Sequence, residues 1–263
     1  IDRGLVGSEM CIRDSPKSLL IYRQLLQWLG GMGLIVLAIA VMPLLGIGGG
    51  QLFKTQTPGP MSEQRLTPRI TSTARALWSI YFVLTVLCIF AYRLAGMSYF
   101  DAVSHAFSTV SIGGFSTHDL SIGFFDSLSI EIVCITFMLL SAMSFAVHYS
   151  AIYRKQVLKY FYDPELRFFV FLLIVILGLV SLSLFANDID NPIRSGLFQT
   201  VSILTTTGFL TDEYSSWPAY ISFMLLVGAF IGACSGSVGG GIKSWRILIC
   251  LLYTSPSPRD LYR

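Results

Sequence analysis

Two stretches of this chain set hydroxyl side chains around a glycine in the same way. The first is Phe107-Ser-Thr-Val-Ser-Ile-Gly-Gly-Phe-Ser-Thr117, and the second is Leu204-Thr-Thr-Thr-Gly-Phe-Leu-Thr211. Each follows a segment too short to cross a bilayer and stands between long apolar runs. Non-helical backbone at membrane depth is tolerated only where it is buried in protein or lines a watery cavity. There, inward-turned carbonyls and hydroxyls replace the water around a monovalent cation. Gly114 and Gly208 permit the left-handed dihedrals such a bend requires. A half-helix ending at each bend would aim its partially negative C-terminus at the ion. The candidate ion-binding residues are Ile112, Gly113, Gly114, Phe115, Thr206, Thr207, Gly208 and Phe209. One such stretch is equally an ordinary Gly/Ser/Thr loop. Duplication, matched half-helices and acidic flanks weigh against that for the pair.

A third stretch, Gly232-Ala-Cys-Ser-Gly-Ser-Val-Gly-Gly-Gly-Ile-Lys-Ser244, nearly matches the phosphate-binding pattern G-x-x-x-x-G-K-[ST]. Ile242 separates Gly241 from Lys243, and no strand precedes it, so the nucleotide assignment fails. A single helix from Trp217 to Leu251 would be roughly 50 Å long, well beyond a bilayer core. The glycines are expected to break it at mid-depth. Gly232, Ser235, Gly236, Ser237, Gly239, Gly240 and Gly241 are the candidate gating loop beneath the filter, with a glycine-lined packing seam as the alternative.

The elements that must position these loops follow from composition. The chain has 263 residues, 54% hydrophobic and 13% charged, outside the usual soluble range. Apolar runs at Trp28–Phe53, Ala76–Tyr92, Ile132–Tyr153, Phe168–Ala186 and Tyr214–Ile242 are near or above the ~20 residues that span a bilayer. The expected fold is an all-α polytopic membrane protein. Its helices fall at about Leu19–Met42, up to Ala95, Leu128–Tyr153, Leu166–Ala186 and Trp217–Leu251, with half-helices near Tyr99–Val110 and Ile193–Leu204. Trp28-Leu-Gly-Gly-Met-Gly33 brings small residues that allow close packing.

Superposing Gly114-Phe115 on Gly208-Phe209 offsets the chain by 94 residues (208 − 114) and carries whole elements onto each other. The string Phe-x-Thr-Val-Ser-Ile at Phe107 and Phe198 gives a competing offset of 91 (198 − 107). The glycine alignment, with the change of composition at both ends, predicts five segments. Residues 1–17 form a non-native tail, and 18–70 a closing helix of a preceding unit plus connector. Residues 71–160 form one helix–pore loop–helix unit and 161–251 a second with a broken last helix; 252–263 form another non-native tail. The first residue is not Met, so the chain is expected to be an internal fragment.

Charge predicts orientation. Lys54, Arg65, Arg69, Arg154, Lys155, Lys159, Arg167, Lys243 and Arg246 fall on one side, and His118, Asp119, Asp126, Asp188, Asp190, Asp212 and Glu213 on the other. The positive-inside rule makes the basic side cytoplasmic. Both loops then open outward beneath an acidic mouth. The net charge of +3 implies no nucleic-acid partner. His105 and His148 are expected to pack and His118 to be solvated. The cysteines, lacking metal spacing, are expected as buried thiols. Nucleophile, base and orienting acid converge nowhere, so catalysis is not expected.

At the Gly-Gly-Phe-Ser-Thr-His-Asp119 loop, the Thr-Thr-Gly-Phe209 loop, Gln27-Trp-Leu-Gly-Gly-Met-Gly33 and Gly-Ser-Val-Gly-Gly-Gly-Ile-Lys243, the chain resembles the Trk-type bacterial potassium-uptake subunit of the Trk/Ktr/HKT superfamily. The likeness covers about Ser18 to Leu251. It implies four helix–pore loop–helix units around one pore, of which the second and third, with the closing helix of the first, are present here. It implies potassium uptake across the bacterial inner membrane, an intramembrane gate at Gly232–Gly241 and no cofactor. It also implies a homodimer and a cytosolic nucleotide-binding regulatory subunit. Gly113 stands where the second loop has Thr207, so the filter departs from chemical four-fold symmetry. The alternative function is a secondary cation transporter, sodium-coupled or sodium-permeable, with a broken-helix midplane site. That class needs inverted repeats, whereas these two units run in the same direction.

Overall fold

The computed structural model describes residues 15–33, 70–189, 191–212 and 217–254. Of the expected tails, 1–17 and 252–263, Lys17 and 252–254 are helical, and residues 1–14 and 255–263 lie outside the described residues. So do the rest of the first helix, the connector carrying Lys54, Arg65 and Arg69, and Asp190 and Glu213. Among the described residues there is no strand, and every element is helical apart from one isolated bridge, Ile231 to Ile242.

Helix α1 (Lys17–Trp28) ends in a short helical turn, Leu29–Gly33, that leaves helical geometry at Gly31. The expected continuous helix from Leu19 onward is therefore broken there. Close packing requires a glycine there. A side-chain carbon on Gly31 would stand 3.1 Å from the Tyr81 hydroxyl, 3.2 Å from Val238 and 3.3 Å from Ser111. Trp28 fixes α1 by stacking on Tyr81, centroids 5.4 Å apart, and by donating its indole N–H to Thr85.

Helix α2 (Ile70–Leu94) crosses and returns through α3 (Tyr99–Val110). Ser98 caps α3 by accepting from the Asp101 N–H, with the Asp101 carboxylate in the first turn where the helix dipole favours it. Helix α4 (Leu128–Ala142) and helix α5 (Phe145–Tyr153) were expected as one span, but they meet at 95°. No glycine or proline marks that bend. Its cause is tertiary: the Phe145 N–H donates to Gly236 O instead of to its own helix. The carbonyls of Ser141 and Ala142 accept from Val238 and Cys234.

A short helix α6 (Lys159–Tyr162) leads to α7 (Pro164–Ala186). Asp163 caps α7 by accepting from the Glu165 and Leu166 N–H groups, and Pro164 takes the first helical position. Helix α8 (Pro192–Leu204) is the second half-helix, followed by α9 (Ala219–Phe230) and α10 (Ser244–Thr254). Helices α2 and α7 are each long and apolar enough to cross a membrane, and α4 with α5 makes a bent third. Large apolar side chains such as Phe90 on α2, Phe171 and Leu182 on α7 and Phe223 on α9 are left exposed, as lipid contact requires.

Both repeats run the same way. Ser79 near the start of α2 meets Tyr153, and Glu165 at the start of α7 meets Trp245 on that same side. On the opposite side Arg194, at the start of α8, binds Glu131 at the start of α4.

Candidate ion-coordinating site

Each half-helix unwinds through the same three bonds. In the first, Ser111, Ile112 and Gly113 donate to Phe107, Thr109 and Ser108 at 3.2, 3.1 and 2.8 Å. In the second, Thr205, Thr206 and Thr207 donate to Val201, Ile203 and Ser202 at 2.9, 2.9 and 2.8 Å. Every pair matches at the glycine-based offset. The competing register is an accident of sequence: Phe198 takes the position of Ser104, not of Phe107.

The backbone then alternates in hand. Ile112 and Thr206 have φ of 54° and 65°, and Gly114 and Gly208 have 74° and 88°, while the residues between them keep negative φ. Reversing φ at alternate residues lets successive carbonyls turn to one side, the geometry a dehydrated cation needs. Left-handed φ at a β-branched residue costs on the order of 1–3 kcal/mol. That cost is borne at two equivalent positions, Ile112 and Thr206.

The two bends meet. A side-chain carbon on Gly114 would overlap the Thr207 carbonyl oxygen and lie 3.0 Å from the Gly208 carbonyl carbon. Further out, the Gly123 N–H donates to Leu210 O at 3.1 Å and the Leu210 N–H to Ser121 Oγ at 3.2 Å. The structure thus brings Ile112–Phe115 and Thr206–Phe209 to one place. Their phenylalanines differ: Phe209 is fully buried, whereas Phe115 is 50% exposed beneath the Arg23 guanidinium, 4.8 Å from its ring centre.

The glycine-rich stretch lies against the inner side of both bends. It is non-helical from Ile231 to Lys243, between α9 and α10. Gly232 and Ile242 close its base through Gly232 N–H to Ile242 O, and the Ser244 hydroxyl donates to Gly232 O. The Gly240 N–H donates to Thr206 Oγ1 at 2.7 Å, and a carbon on Gly239 would stand 3.2 Å from Thr205 O. Gly239 O accepts from the Lys243 ammonium. The Ser237 hydroxyl donates to Cys234 O, and Gly236 and Gly241 adopt left-handed φ of 70° and 72°. Ser235 is held from the side, its N–H donating to Glu165 Oε1, which also accepts from the Trp245 N–H at 3.2 Å.

Several residues here went unread in the sequence. Arg23, Gln24 and Gln27 form one polar face of α1 directed at the first bend. Their spacing at i, i+1 and i+4 along α1 was the available signal. Arg194 spans the outer side, donating to Glu131 Oε1 at 2.7 Å and Asp126 Oδ1 at 3.0 Å, so the acidic mouth is partly neutralised internally. His118 is packed, not solvated: it stacks on Phe124 with centroids 3.8 Å apart and lies 3.2 Å from Asp101 Oδ1. His105 bonds to Asp101 O and Ser116 Oγ, and His148 to Leu140 O and the Tyr160 hydroxyl, as structural histidines do. Cys88, Cys134 and Cys234 are buried thiols as expected, whereas Cys250 is exposed.

The family model described as "TrkH: Cation transport protein" matches residues 6–255. The chain belongs to the TrkH family. It is 52% identical over 239 residues to the Trk system potassium uptake protein TrkH of Halomonas elongata, covering 90% of this chain and 50% of that protein. Against the Trk system potassium uptake protein TrkG of Escherichia coli K12, identity is 45%, covering 90% of this chain and 50% of the relative. The crystal structure of the potassium transporter TrkH from Vibrio parahaemolyticus superposes with a TM-score of 0.78 at 45% identity, over 96% of this chain and 51% of that one. The chain therefore spans about half the length of the TrkH-family relatives it matches. Its class is that of a helical membrane protein.

Proposed function

We propose that this chain supplies two of the filter loops and the gate of a potassium-uptake pore in the bacterial inner membrane. The observation that carries the proposal is the repeated backbone of alternating hand at Ile112–Gly114 and Thr206–Gly208, with the two bends in contact. Carbonyls of these residues coordinate the ion, and Phe115 and Phe209 close each loop, their own carbonyls held by Gln24 and Ser202. A potassium ion, as transported substrate, loses water to them and crosses without covalent chemistry, so the protein is a transporter and not an enzyme.

The glycine-rich loop is the gate. It lies across the inner side of the filter through Gly239 and Gly240, where it obstructs the path. A cavity of about 390 Å³ beside it, lined by Ser144, Val147, Glu165, Ser235 and Trp245, leaves room for withdrawal. A homodimer and a cytosolic nucleotide-binding regulatory subunit complete the assembly. Arg246, on the basic side, links that subunit to the loop, with Lys243 next to it bonded to Gly239 O.

The test is growth at limiting potassium of a bacterium lacking its own uptake systems. The full-length protein carrying this segment is expected to restore growth, and its Gly208→Ser variant to restore it only at higher potassium. Equal growth with both, at equal membrane abundance, contradicts the proposal.

A further inference from the structure

The two bends share a backbone but are held differently. In the second, the half-helix supports its own loop: the Ser202 hydroxyl donates to Phe209 O at 2.7 Å, and the buried Thr207 hydroxyl pairs with Thr205 Oγ1 at 2.7 Å. In the first, the equivalent hydroxyl, Ser108, donates instead to Gln27 Oε1 at 3.1 Å. The carbonyl of Phe115, equivalent to that of Phe209, accepts from Gln24 Nε2 at 2.9 Å. The next carbonyl, Ser116 O, accepts from Arg23 Nη2 at 2.8 Å. Gly113 takes the place of Thr207, and a side-chain carbon built on it would overlap the Gln27 carboxamide.

We infer that Gln27 is a specificity-determining positioning residue for ion selection, its carboxamide filling at the first bend the space that the Thr207 side chain fills at the second. The inference rests on the filter assignment above. It assigns the first loop's geometry to the closing helix of the preceding unit, so one filter loop is set from outside its own repeat. Gly113 is then glycine because Gln27 occupies its side-chain volume, and the chemical asymmetry between the loops is compensated in space.

The experiment is a double-mutant cycle in the reconstituted full-length protein, read as the potassium-to-sodium permeability ratio. Gln27→Ala opens a void and Gly113→Thr creates an overlap, so each alone is expected to lower the ratio. Gln27→Ala with Gly113→Thr is expected to recover about five-fold or more over the product of the single effects, the size expected for side chains in direct contact. Gln27→Asn, one methylene shorter and milder for folding, is expected to give a ratio between wild type and Gln27→Ala. Independent effects in the cycle, or a wild-type ratio in both Gln27 variants, overturn the inference. Gly114→Ser is run alongside: if it too keeps the wild-type ratio, the filter assignment itself falls, whereas a shift there with independent Gln27 and Gly113 effects sinks only the role of Gln27.

Discussion

Gly114 and Gly208 both have left-handed φ, yet their surroundings differ. Space is open around a side-chain carbon at Gly208, while at Gly114 that carbon would overlap the Thr207 carbonyl oxygen. Gly208→Ala therefore meets only the dihedral penalty, roughly 1–2 kcal/mol. Gly114→Ala adds a backbone overlap that only separation of the two bends relieves. Thermal unfolding of the purified full-length protein is expected to show the larger loss for Gly114→Ala, and equal losses would mean the bends are not in contact. The glycine-centred pattern of these positions is legible from residue type, because few side chains accept positive φ. The supports are not. Arg23, Gln24 and Gln27 act across sequence separations as long as 93 residues, and no local pattern carries that pairing.

The half-helices are the elements read most closely from sequence. Tyr99–Val110 has the expected limits, with Ser98 and Asp101 marking its start, and Pro192 opens the second. The bend between α4 and α5 is hidden because its residues have no preference against helix; the backbone of Gly236 and its neighbours imposes it. The glycine-rich loop has a side anchor that its own sequence does not reveal: Glu165 on α7 accepts N–H groups from both Ser235 and Trp245. Glu165→Ala removes the one oxygen that accepts both bonds and leaves two N–H groups unpaired, a cost of about 1–3 kcal/mol each. It is expected to free the loop and raise rubidium flux into proteoliposomes several-fold, whereas Glu165→Gln, keeping one acceptor oxygen, is expected to stay nearer wild type. Unchanged flux in Glu165→Ala would make the loop a packing seam.

At the scale of the whole molecule, among the described residues the chain leaves helical geometry at Gly31, at Met143–Ser144 and at Ile231–Lys243. Glycines mark the first and third of these in the sequence, and nothing of the kind marks the second. The two repeats run in parallel, each half-helix entering from the side on which Arg194 meets Asp126 and Glu131. A broken-helix secondary transporter would relate its halves by inversion, and parallel repeats with bends in contact fit a shared pore instead. The central claim is that the bends at Gly114 and Gly208 form one filter. Its most direct test is the potassium-to-sodium permeability ratio of the reconstituted full-length protein, measured for Gly114→Ser, Gly208→Ser and the α9 control Ser222→Ala. Both glycine variants are expected to lower the ratio with Ser222→Ala unchanged; equal ratios in all three would contradict the account.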